Sequence, residues 1–538
     1  MNIEHVEKSY QELESDSTLQ NLIAQANARY ILYNTEESKE NFPRYTIKDE
    51  QLNILAFKYL NIGCNYFSEH NYLKASHSLE KGALILEYIH GSIHIQTKNK
   101  KLFCLISALS YYVCFQYSKA FILIGKLESD TMISSLVSLF LNRKFDQLLS
   151  EIDKLITNSS YGDEYLAEHF EEDNATKIYE IIIAKSLNYY VQFYQTGNKD
   201  FLEIAKKDLV NLQEVAAMRG EPDVWWVIRL LLLIIDGFKE SSLWYVLGNY
   251  FNTEDKLPLK YIQSLVYKNG SITELFLTQR NSLPKVLNNK QGSIVSIPTS
   301  SGKTRIGEIA ILNCLLNEPK AKILFIAPYR SLAYEIENSF DEIFSNLDVS
   351  VSHLYGGSLF SKLDERIIDE SSVIVATPEK AKALFRSNED ILSCIKLVII
   401  DEGHLLGTDK RLIVNEMFYE ELKYHVKANG GRFLLLSAVL PNAEDLSEWL
   451  TDSTDNVYKE NWRPSDERIG IMEWNGVSVN LNWKSTDAER NSFNPNFIMR
   501  QKLPKKPKER IMHYFPENKN QAIASTLSLI HISEPTRL

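Results

Sequence analysis

The sequence predicts an α + α/β protein, with an all-helical N-terminal region followed by a P-loop domain on a parallel, doubly wound sheet. Three observations lead to this expectation. Residues 1–270 carry helix-period patterns of apolar residues with almost no strand pattern. From about 275 to 450, short apolar strands alternate with helical stretches. At the first of these strands, a loop of small residues that contains a lysine leads into a helix.

Two segments of the helical region share a helical-hairpin pattern of small and aromatic residues. The matching positions are Gly63, Tyr66 and Ala75 in the first segment and Ala108, Tyr111 and Ala120 in the second. The pattern resembles a tetratricopeptide unit, but the copies lie about 45 residues apart, whereas that repeat has a period of about 34. The alternative is ordinary helix-to-helix core. The region shows no catalytic set, and the binding of a protein partner is its candidate role.

Composition and charge narrow the class of protein. The 538 residues carry a net charge of −11, so a site for a polyanion must be a local groove. The five cysteines show no C-x-x-C spacing, which favours reduced thiols, a cytoplasmic location and no zinc site. The N-terminus lacks the features of a signal peptide, and the most apolar stretch is too short to cross a bilayer. We therefore expect no membrane association.

Five short apolar runs are the expected strands of the sheet. They are Ile294–Ser296, Ile323–Ala327, Val373–Ala376, Leu397–Ile400 and Phe433–Ser437. In a doubly wound parallel sheet, the loops at the carboxyl ends of the strands bind the ligand. Polar groups that directly follow these runs are therefore the first candidates for site residues.

The loop from Ile297 to Thr304, called the phosphate loop after its expected ligand, follows the first strand and leads into a helix. Backbone N–H groups, the helix dipole and the Lys303 ammonium all favour a nucleotide triphosphate at this point. The expected nucleotide-binding residues are Thr299, Ser300, Ser301, Gly302, Lys303 and Thr304. Ile297 occupies the first glycine position of the G-x-x-x-x-G-K-S/T pattern, so the alternative is a chance turn of Ser and Gly before a helix.

Asp401 and Glu402 follow the fourth strand, and His404 comes two residues after Glu402. These three residues are called the acidic motif. Asp401 can hold Mg²⁺ against nucleotide phosphates, and Glu402 is placed to polarise an attacking water. The alternative is a helix N-cap with a glutamate in the first turn. The acidic motif lies about a hundred residues after the phosphate loop, among repeated strand and helix patterns. The two motifs together favour an ATP site, with Thr304 as a second Mg²⁺ ligand.

Between about residues 272 and 525, sequence motifs follow one another in a fixed order: one at Gln279, the phosphate loop, three groove motifs, the acidic motif, and one at Ser437. This order resembles superfamily 2 helicases of the DExH class, particularly superkiller-type RNA helicases and archaeal repair helicases. The resemblance implies a RecA-like ATP-binding domain at 271–455, a linker at 456–512 toward a second motor domain, and the start of a second RecA-like domain at 513–538. The last ten residues do not continue the family pattern. We therefore expect a truncated chain with a non-native C-terminal tail and little ATP hydrolysis of its own.

The resemblance also implies roles for individual residues. Gln279 would contact adenine, Lys303 the β and γ phosphates, and Glu402 the attacking water. His404 would act with Ser437 to couple the nucleotide to the nucleic-acid groove. In the coupling motif, Val439 stands where the family has a threonine, so one hydroxyl is lost.

Three further motifs resemble the family's backbone-binding groove. Glycines let a sugar-phosphate backbone approach the main chain, while hydroxyl and guanidinium groups can donate to phosphates. Such contacts do not read bases, so the choice between DNA and RNA stays open. The expected groove residues are Pro328, Arg330, Gly356, Gly357, Thr377 and Pro378.

Two functions follow as hypotheses. The leading one is an ATP-dependent nucleic-acid helicase or translocase, with ATP and Mg²⁺ as cofactors and DNA or RNA as partner. The alternative is a nucleotide-switched scaffold that binds a protein partner through its helical half without unwinding, with a role in antiphage defence by analogy.

Overall fold

The computed structural model describes fourteen stretches of the chain: residues 3–34, 49–91, 100–125, 127, 131–158, 172–299, 301–352, 362–387, 393–404, 410–438, 440–463, 468–485, 492–503 and 512–533. Four residues singled out from the sequence lie outside these stretches, namely Ser300, Gly356, Gly357 and Val439.

In the described part of the N-terminal region, every element is a helix. The helices are α1 (Ile3–Ser15), α2 (Ser17–Asn34), α3 (Asp49–Ser68), α4 (Tyr72–His90), α5 (Lys100–Val113), α6 (Tyr117–Gly125), α7 (Met132–Leu141), α8 (Phe145–Thr157), α9 (Glu172–Thr196), α10 (Asp200–Arg219), α11 (Pro222–Ser241), α12 (Leu243–Gly248) and α13 (Lys256–Tyr267). Helices that follow one another along the chain pack together, as α3 does with α4 and α5 with α6.

The two hairpin segments predicted from the sequence correspond to α3 with α4 and α5 with α6. Their small and aromatic positions are all buried. A Cβ added to Gly63 would lie 2.5 Å from Leu79 Cγ, so α3 and α4 approach more closely than a larger residue would allow. This packing is the same for a tetratricopeptide hairpin and for ordinary helical core, and the relation to that repeat stays a prediction.

Six parallel strands form the sheet of the second region, in the order β3-β2-β4-β5-β1-β6. Their bounds are β1 Gly292–Ser296, β2 Lys322–Ile326, β3 Val373–Ala376, β4 Ile395–Ile400, β5 Arg432–Ser437 and β6 Val457–Lys459. The predicted doubly wound sheet is confirmed. The sixth strand was not predicted, and it extends the sheet past the boundary placed at 455.

Helices cover both faces of this sheet. They are α14 (Leu277–Leu287), α15 (Lys303–Asn317), α16 (Arg330–Phe344), α17 (Lys362–Glu370), α18 (Pro378–Ser387), α19 (Lys410–Ala428) and α20 (Ala443–Thr451). In β4, Leu397 and Ile399 join one buried cluster, while Val398 and Ile400 join the other. Because both faces are buried, the strand is an unbroken apolar run rather than an alternating one.

The N-terminal helices share a core with one face of the sheet. Apolar residues from α1 through α13 belong to the same buried cluster as those of α14 to α16 and the facing strand residues. At this boundary the Tyr261 hydroxyl of α13 donates to Glu308 Oε2 of α15 at 3.1 Å, and Arg305 also donates to Glu308. The Glu308 side chain is 1% exposed, and burial raises its pKa. The helical region is therefore bonded to the helix that starts at the phosphate loop.

The segment 456–512 differs from the predicted linker and needs correction. It contains β6, an antiparallel sheet of β7 (Arg468–Trp474), β8 (Ser478–Ser485) and β9 (Ser492–Met499), and β10 (Gln501–Lys502), which pairs with β11 (Tyr514–Phe515). A helix, α21 (Lys519–Ser533), packs against β7 and β9. The core of this unit is small, with Val479, Leu481 and Ala522 as its buried members.

Four of the five cysteines are buried, whereas Cys394 is exposed. Within the described part of the chain, no helix is both long and apolar enough to span a membrane.

Replacing Tyr261 with phenylalanine should lower the free energy of unfolding by about 1–3 kcal/mol, because the buried Glu308 carboxylate loses a donor. Urea unfolding of the purified protein measures the change. The matched control is Tyr267→Phe, the same substitution on α13 at a residue that is 63% exposed. Equal urea midpoints for the two variants would contradict the role given to Tyr261.

Candidate nucleotide site and nucleic-acid groove

The structure brings the phosphate loop and the acidic motif together. Lys303 Nζ lies 3.2 Å from both carboxylate oxygens of Glu402. Lys303 starts α15 just after β1, and Glu402 follows β4, which is separated from β1 by β5 alone. Parallel strands place their carboxyl ends at one edge, so residues 99 positions apart meet there. The Lys303 side chain is 9% exposed, and the Glu402 carboxylate is its ion-pair partner.

The phosphate loop is held by Gln279 of α14. Gln279 Nε2 donates to the Gly302 carbonyl at 2.9 Å, and Gln279 Oε1 accepts from the Phe276 N–H at 2.8 Å. Gly302 has φ of 73°, and a Cβ there would lie 2.2 Å from Gln279 Nε2. Glycine is thus needed both for the left-handed backbone and for this close approach. Here Gln279 fixes the loop, and its contact with adenine stays a prediction.

The loop residues fit a phosphate group. Helix α15 begins at Lys303, so its first N–H groups and the positive end of its dipole face the loop. The Ser301 hydroxyl is buried and has no hydrogen-bond partner among the described residues. Thr299 is exposed, and Thr304 is half-buried as the second residue of the helix. These are the donors that a triphosphate requires.

The acidic motif is fixed to the edge of the sheet by its backbone. The Asp401 N–H donates to the Ile326 carbonyl at 2.9 Å, and the Gly403 N–H donates to the Leu436 carbonyl at 3.0 Å. Between them Glu402 has a left-handed φ of 51°, and its N–H donates to Asp401 Oδ1 at 2.9 Å. This tight turn points neighbouring carboxylates into one site.

Burial and, second to it, the nearby Glu402 charge raise the pKa of Asp401 to about 6, while the hydrogen bond from the Glu402 N–H and the Lys303 charge oppose the shift. A buried carboxylate of this kind is stabilised by a cation, which suits the predicted Mg²⁺ role. Among the residues that the structure describes, no group of three or more His, Cys, Asp or Glu side chains could hold a metal. Mg²⁺ does not need such a group, because it commonly binds one or two carboxylates together with phosphates.

His404 lies between the acidic motif and the end of β5. His404 Nδ1 is 3.1 Å from Glu402 Oε2 and 3.5 Å from Ser437 Oγ. The two residues expected to couple the nucleotide to the groove, His404 and Ser437, are therefore in contact, and His404 also contacts Glu402. Their coupling role itself stays a prediction.

The predicted groove residues that the structure describes lie at the same edge of the sheet. Pro328 follows β2, and Thr377 and Pro378 follow its neighbour β3. A cleft is lined by both prolines and reaches Asp401 and Glu402. Arg330 is exposed at the start of α16. A strand bound across these loops would lie directly beside the acidic motif.

Sequence analysis missed Arg411, the second residue of α19. Its Nη2 donates to the Pro328 carbonyl at 3.2 Å, and its Nε donates to Glu379 Oε1 at 2.9 Å. The guanidinium lies 5.8 Å from the centre of the exposed Tyr329 ring. Arg411 thus joins two of the predicted groove motifs. No spacing in the sequence links it to them, and the clue is a basic residue in the first turn of the helix after the acidic motif.

This chain is similar in sequence to known helicases. Residues 277–446 match the family described as DEAD/DEAH box helicase. Hachiman protein HamB of Bacillus cereus is 39% identical over 98% of this chain and 47% of its own length. ATP-dependent DNA helicase Hel308 of Thermococcus kodakarensis is 33% identical over 40% of this chain and 18% of its own length. The chain therefore spans less than half the length of either relative.

A solved structure shows a weaker likeness. The structure described as DUF1998 helicase MrfA bound to DNA and AMPPNP is 20% identical, with a TM-score of 0.35, over 39% of this chain and 30% of that one.

Replacing Gly403 with alanine should destabilise the site. The added Cβ would lie 2.5 Å from Leu435 Cδ1, and Leu435 is itself buried in the sheet core. Overpacking of this kind costs about 1–3 kcal/mol of unfolding free energy, which thermal unfolding measures. Gly248→Ala is the control, since its nearest atom is 3.8 Å away. If both variants unfold at the same temperature, the claim that a side chain at position 403 overpacks against Leu435 is wrong.

Proposed function

We propose that this chain couples ATP binding and hydrolysis to movement on a nucleic acid. The proposal follows from residues 277–446, which form a superfamily 2 DExH-type helicase domain. The observation that carries the proposal is the contact of Lys303 with Glu402 at 3.2 Å. It joins the phosphate loop and the acidic motif at one edge of the sheet, where the groove residues also lie. The proposed nucleotide site and the proposed nucleic-acid groove would thus be adjacent.

The Lys303–Glu402 ion pair gives a physical account of the first step. An incoming triphosphate would compete for the Lys303 ammonium, because phosphate oxygens form strong charge-assisted hydrogen bonds. Glu402 would then lose its cationic partner and become available to accept a proton from water. Asp401 and Thr304 would hold Mg²⁺, which neutralises charge on the phosphates. Ser301, whose buried hydroxyl has no partner among the described residues, would donate to a phosphate oxygen.

Pro328, Arg330, Thr377 and Pro378 would contact the backbone of the nucleic acid, with Gly356 and Gly357 as further candidates. Such contacts carry no base sequence. The relative Hel308 is named as a DNA helicase, which supports DNA as the partner of this chain. The reaction is expected in the cytoplasm.

A second candidate function is the nucleotide-switched scaffold. The likeness to Hachiman protein HamB extends over 98% of the chain and so includes the helical region, whereas the likeness to Hel308 covers 40%. This favours a role for the helical region beyond the motor, such as binding a protein partner. A place in antiphage defence remains part of this second hypothesis.

Replacing Lys303 with alanine should weaken binding of an ATP analogue by roughly 10- to 100-fold, since each lost charge-assisted hydrogen bond is worth about 1.5–3 kcal/mol. Isothermal titration with a non-hydrolysable analogue measures this loss. Lys320→Ala, which removes an exposed lysine three residues after the end of α15, is the control. Unchanged affinity in the Lys303 variant would defeat the assignment of the phosphate loop.

A strand-displacement assay on the whole gene product separates the two functions. For a motor, ATP should drive separation of a duplex that carries a single-stranded tail, and Glu402→Gln should abolish it while nucleotide still binds. ATP-dependent capture of a protein partner without displacement would instead support the scaffold.

A further inference from the structure

Glu274 is a buried acid in the connection between the helical region and the motor domain. Its side chain is 2% exposed. Tyr117 of α6 donates to Oε1 at 3.1 Å, Ser241 of α11 donates to Oε1 at 2.7 Å, and Tyr112 of α5 donates to Oε2. A buried carboxylate costs free energy unless its oxygens are satisfied, and here three helices of the N-terminal region satisfy them.

Arg143, in the turn between α7 and α8, supplies positive charge to the same carboxylate. Its Nη2 lies 3.8 Å from Glu274 Oε2, and its Nη1 donates to the Ser271 carbonyl at 3.1 Å. The guanidinium also lies 5.6 Å from the centre of the Tyr117 ring. Both the side chain of Glu274 and the backbone just before it are therefore held by the helical region.

The backbone on either side of Glu274 is hydrogen-bonded to the end of α11. The Leu243 N–H donates to the Thr273 carbonyl at 3.0 Å, and the Leu275 N–H donates to the Ser241 carbonyl at 2.8 Å. This short antiparallel pairing leaves little freedom between Glu274 and Phe276. A displacement of the helices around Glu274 would therefore reach Phe276.

Phe276 leads directly to the phosphate loop. Its N–H donates to Gln279 Oε1, and Gln279 Nε2 donates to the carbonyl of Gly302, the residue before Lys303. The Phe276 ring packs between Tyr117 and Trp462, each with its ring centre 6.2 Å away. Hydrogen bonds, together with the backbone from Glu274 to Phe276, thus connect the helical region to the loop that precedes Lys303.

We propose that Glu274 is a positioning residue for the nucleotide site, through which the helical region sets the conformation of the phosphate loop. The connection runs from Glu274 to Phe276, Gln279 and Gly302. The inference rests on the proposed nucleotide-binding function and goes beyond it, because no motif of the motor domain includes Glu274. A partner that shifts α5, α6 or α11 would change nucleotide affinity without touching the nucleotide.

The test measures the dissociation constant of a fluorescent ADP analogue in the full chain, at a temperature where every variant is folded by circular dichroism. Glu274→Ala should weaken binding by at least about fivefold, whereas Glu274→Gln, which keeps an acceptor for Tyr117 and Ser241, should lose less. Gln279→Ala should also weaken binding. Because both residues act on the same loop, the double variant should bind about as weakly as Gln279→Ala alone.

A second pair of variants guards against misfolding of Glu274→Ala. Tyr117→Phe removes one donor to Glu274, while Tyr66→Phe removes a buried tyrosine hydroxyl that donates to Glu7 at 2.6 Å within the helical region. Both should lower the unfolding temperature, but only Tyr117→Phe should weaken nucleotide binding. If the Glu274 and Tyr117 variants lose stability yet bind like the wild type, or if the losses of Glu274→Ala and Gln279→Ala simply add, the inference is wrong. If wild type and Lys303→Ala bind equally, the proposed function has failed instead.

Discussion

The site depends on one constraint, namely that neighbouring strands of the sheet run in the same direction. Because β4, β5 and β1 are neighbours that run in the same direction, the residues after them meet at one edge. That edge brings the Lys303 ammonium to the Glu402 carboxylate and places His404 between Glu402 and Ser437. An antiparallel strand among these three would send one of the motifs to the opposite edge of the sheet. The chemistry of the site is therefore set by topology before any single side chain is considered.

Sequence analysis predicted those parts of the fold in which a pattern of apolar residues is compatible with only one type of secondary structure. Five strands were found because runs such as Leu397–Ile400 are apolar on both faces and end abruptly in polar residues. The meeting of Lys303 with Glu402 was expected because the loops at the carboxyl ends of parallel strands bind the ligand together. In contrast, Arg411, Glu274 and the fixing of the loop by Gln279 depend on contacts between elements far apart in sequence. No periodicity or spacing encodes those contacts, so only the folded structure shows them.

The strands between 457 and 502 were missed for a different reason. The antiparallel sheet of β7 to β9 has few buried apolar residues. Val479, Leu481 and Trp483 alternate with polar residues along β8, as in a half-buried strand, but sequence analysis assigned the segment to a linker without using this alternation. The all-helical expectation for residues 1–270 was easier, because long helices with buried Leu, Ile and Tyr repeat the same period many times.

The burial of Glu308 has a consequence for how this protein can change over time. Helix α15 starts at the phosphate loop, and on its far side Tyr261 of α13 satisfies an acid that water cannot reach. An α/β domain from another source, with an apolar residue at that position of the helix after the phosphate loop, would deprive the Tyr261 hydroxyl of this acceptor. A helical region without Tyr261 would leave the carboxylate short of a donor. The two halves are thus expected to be inherited as a unit, and exchange of either half alone between relatives would be selected against.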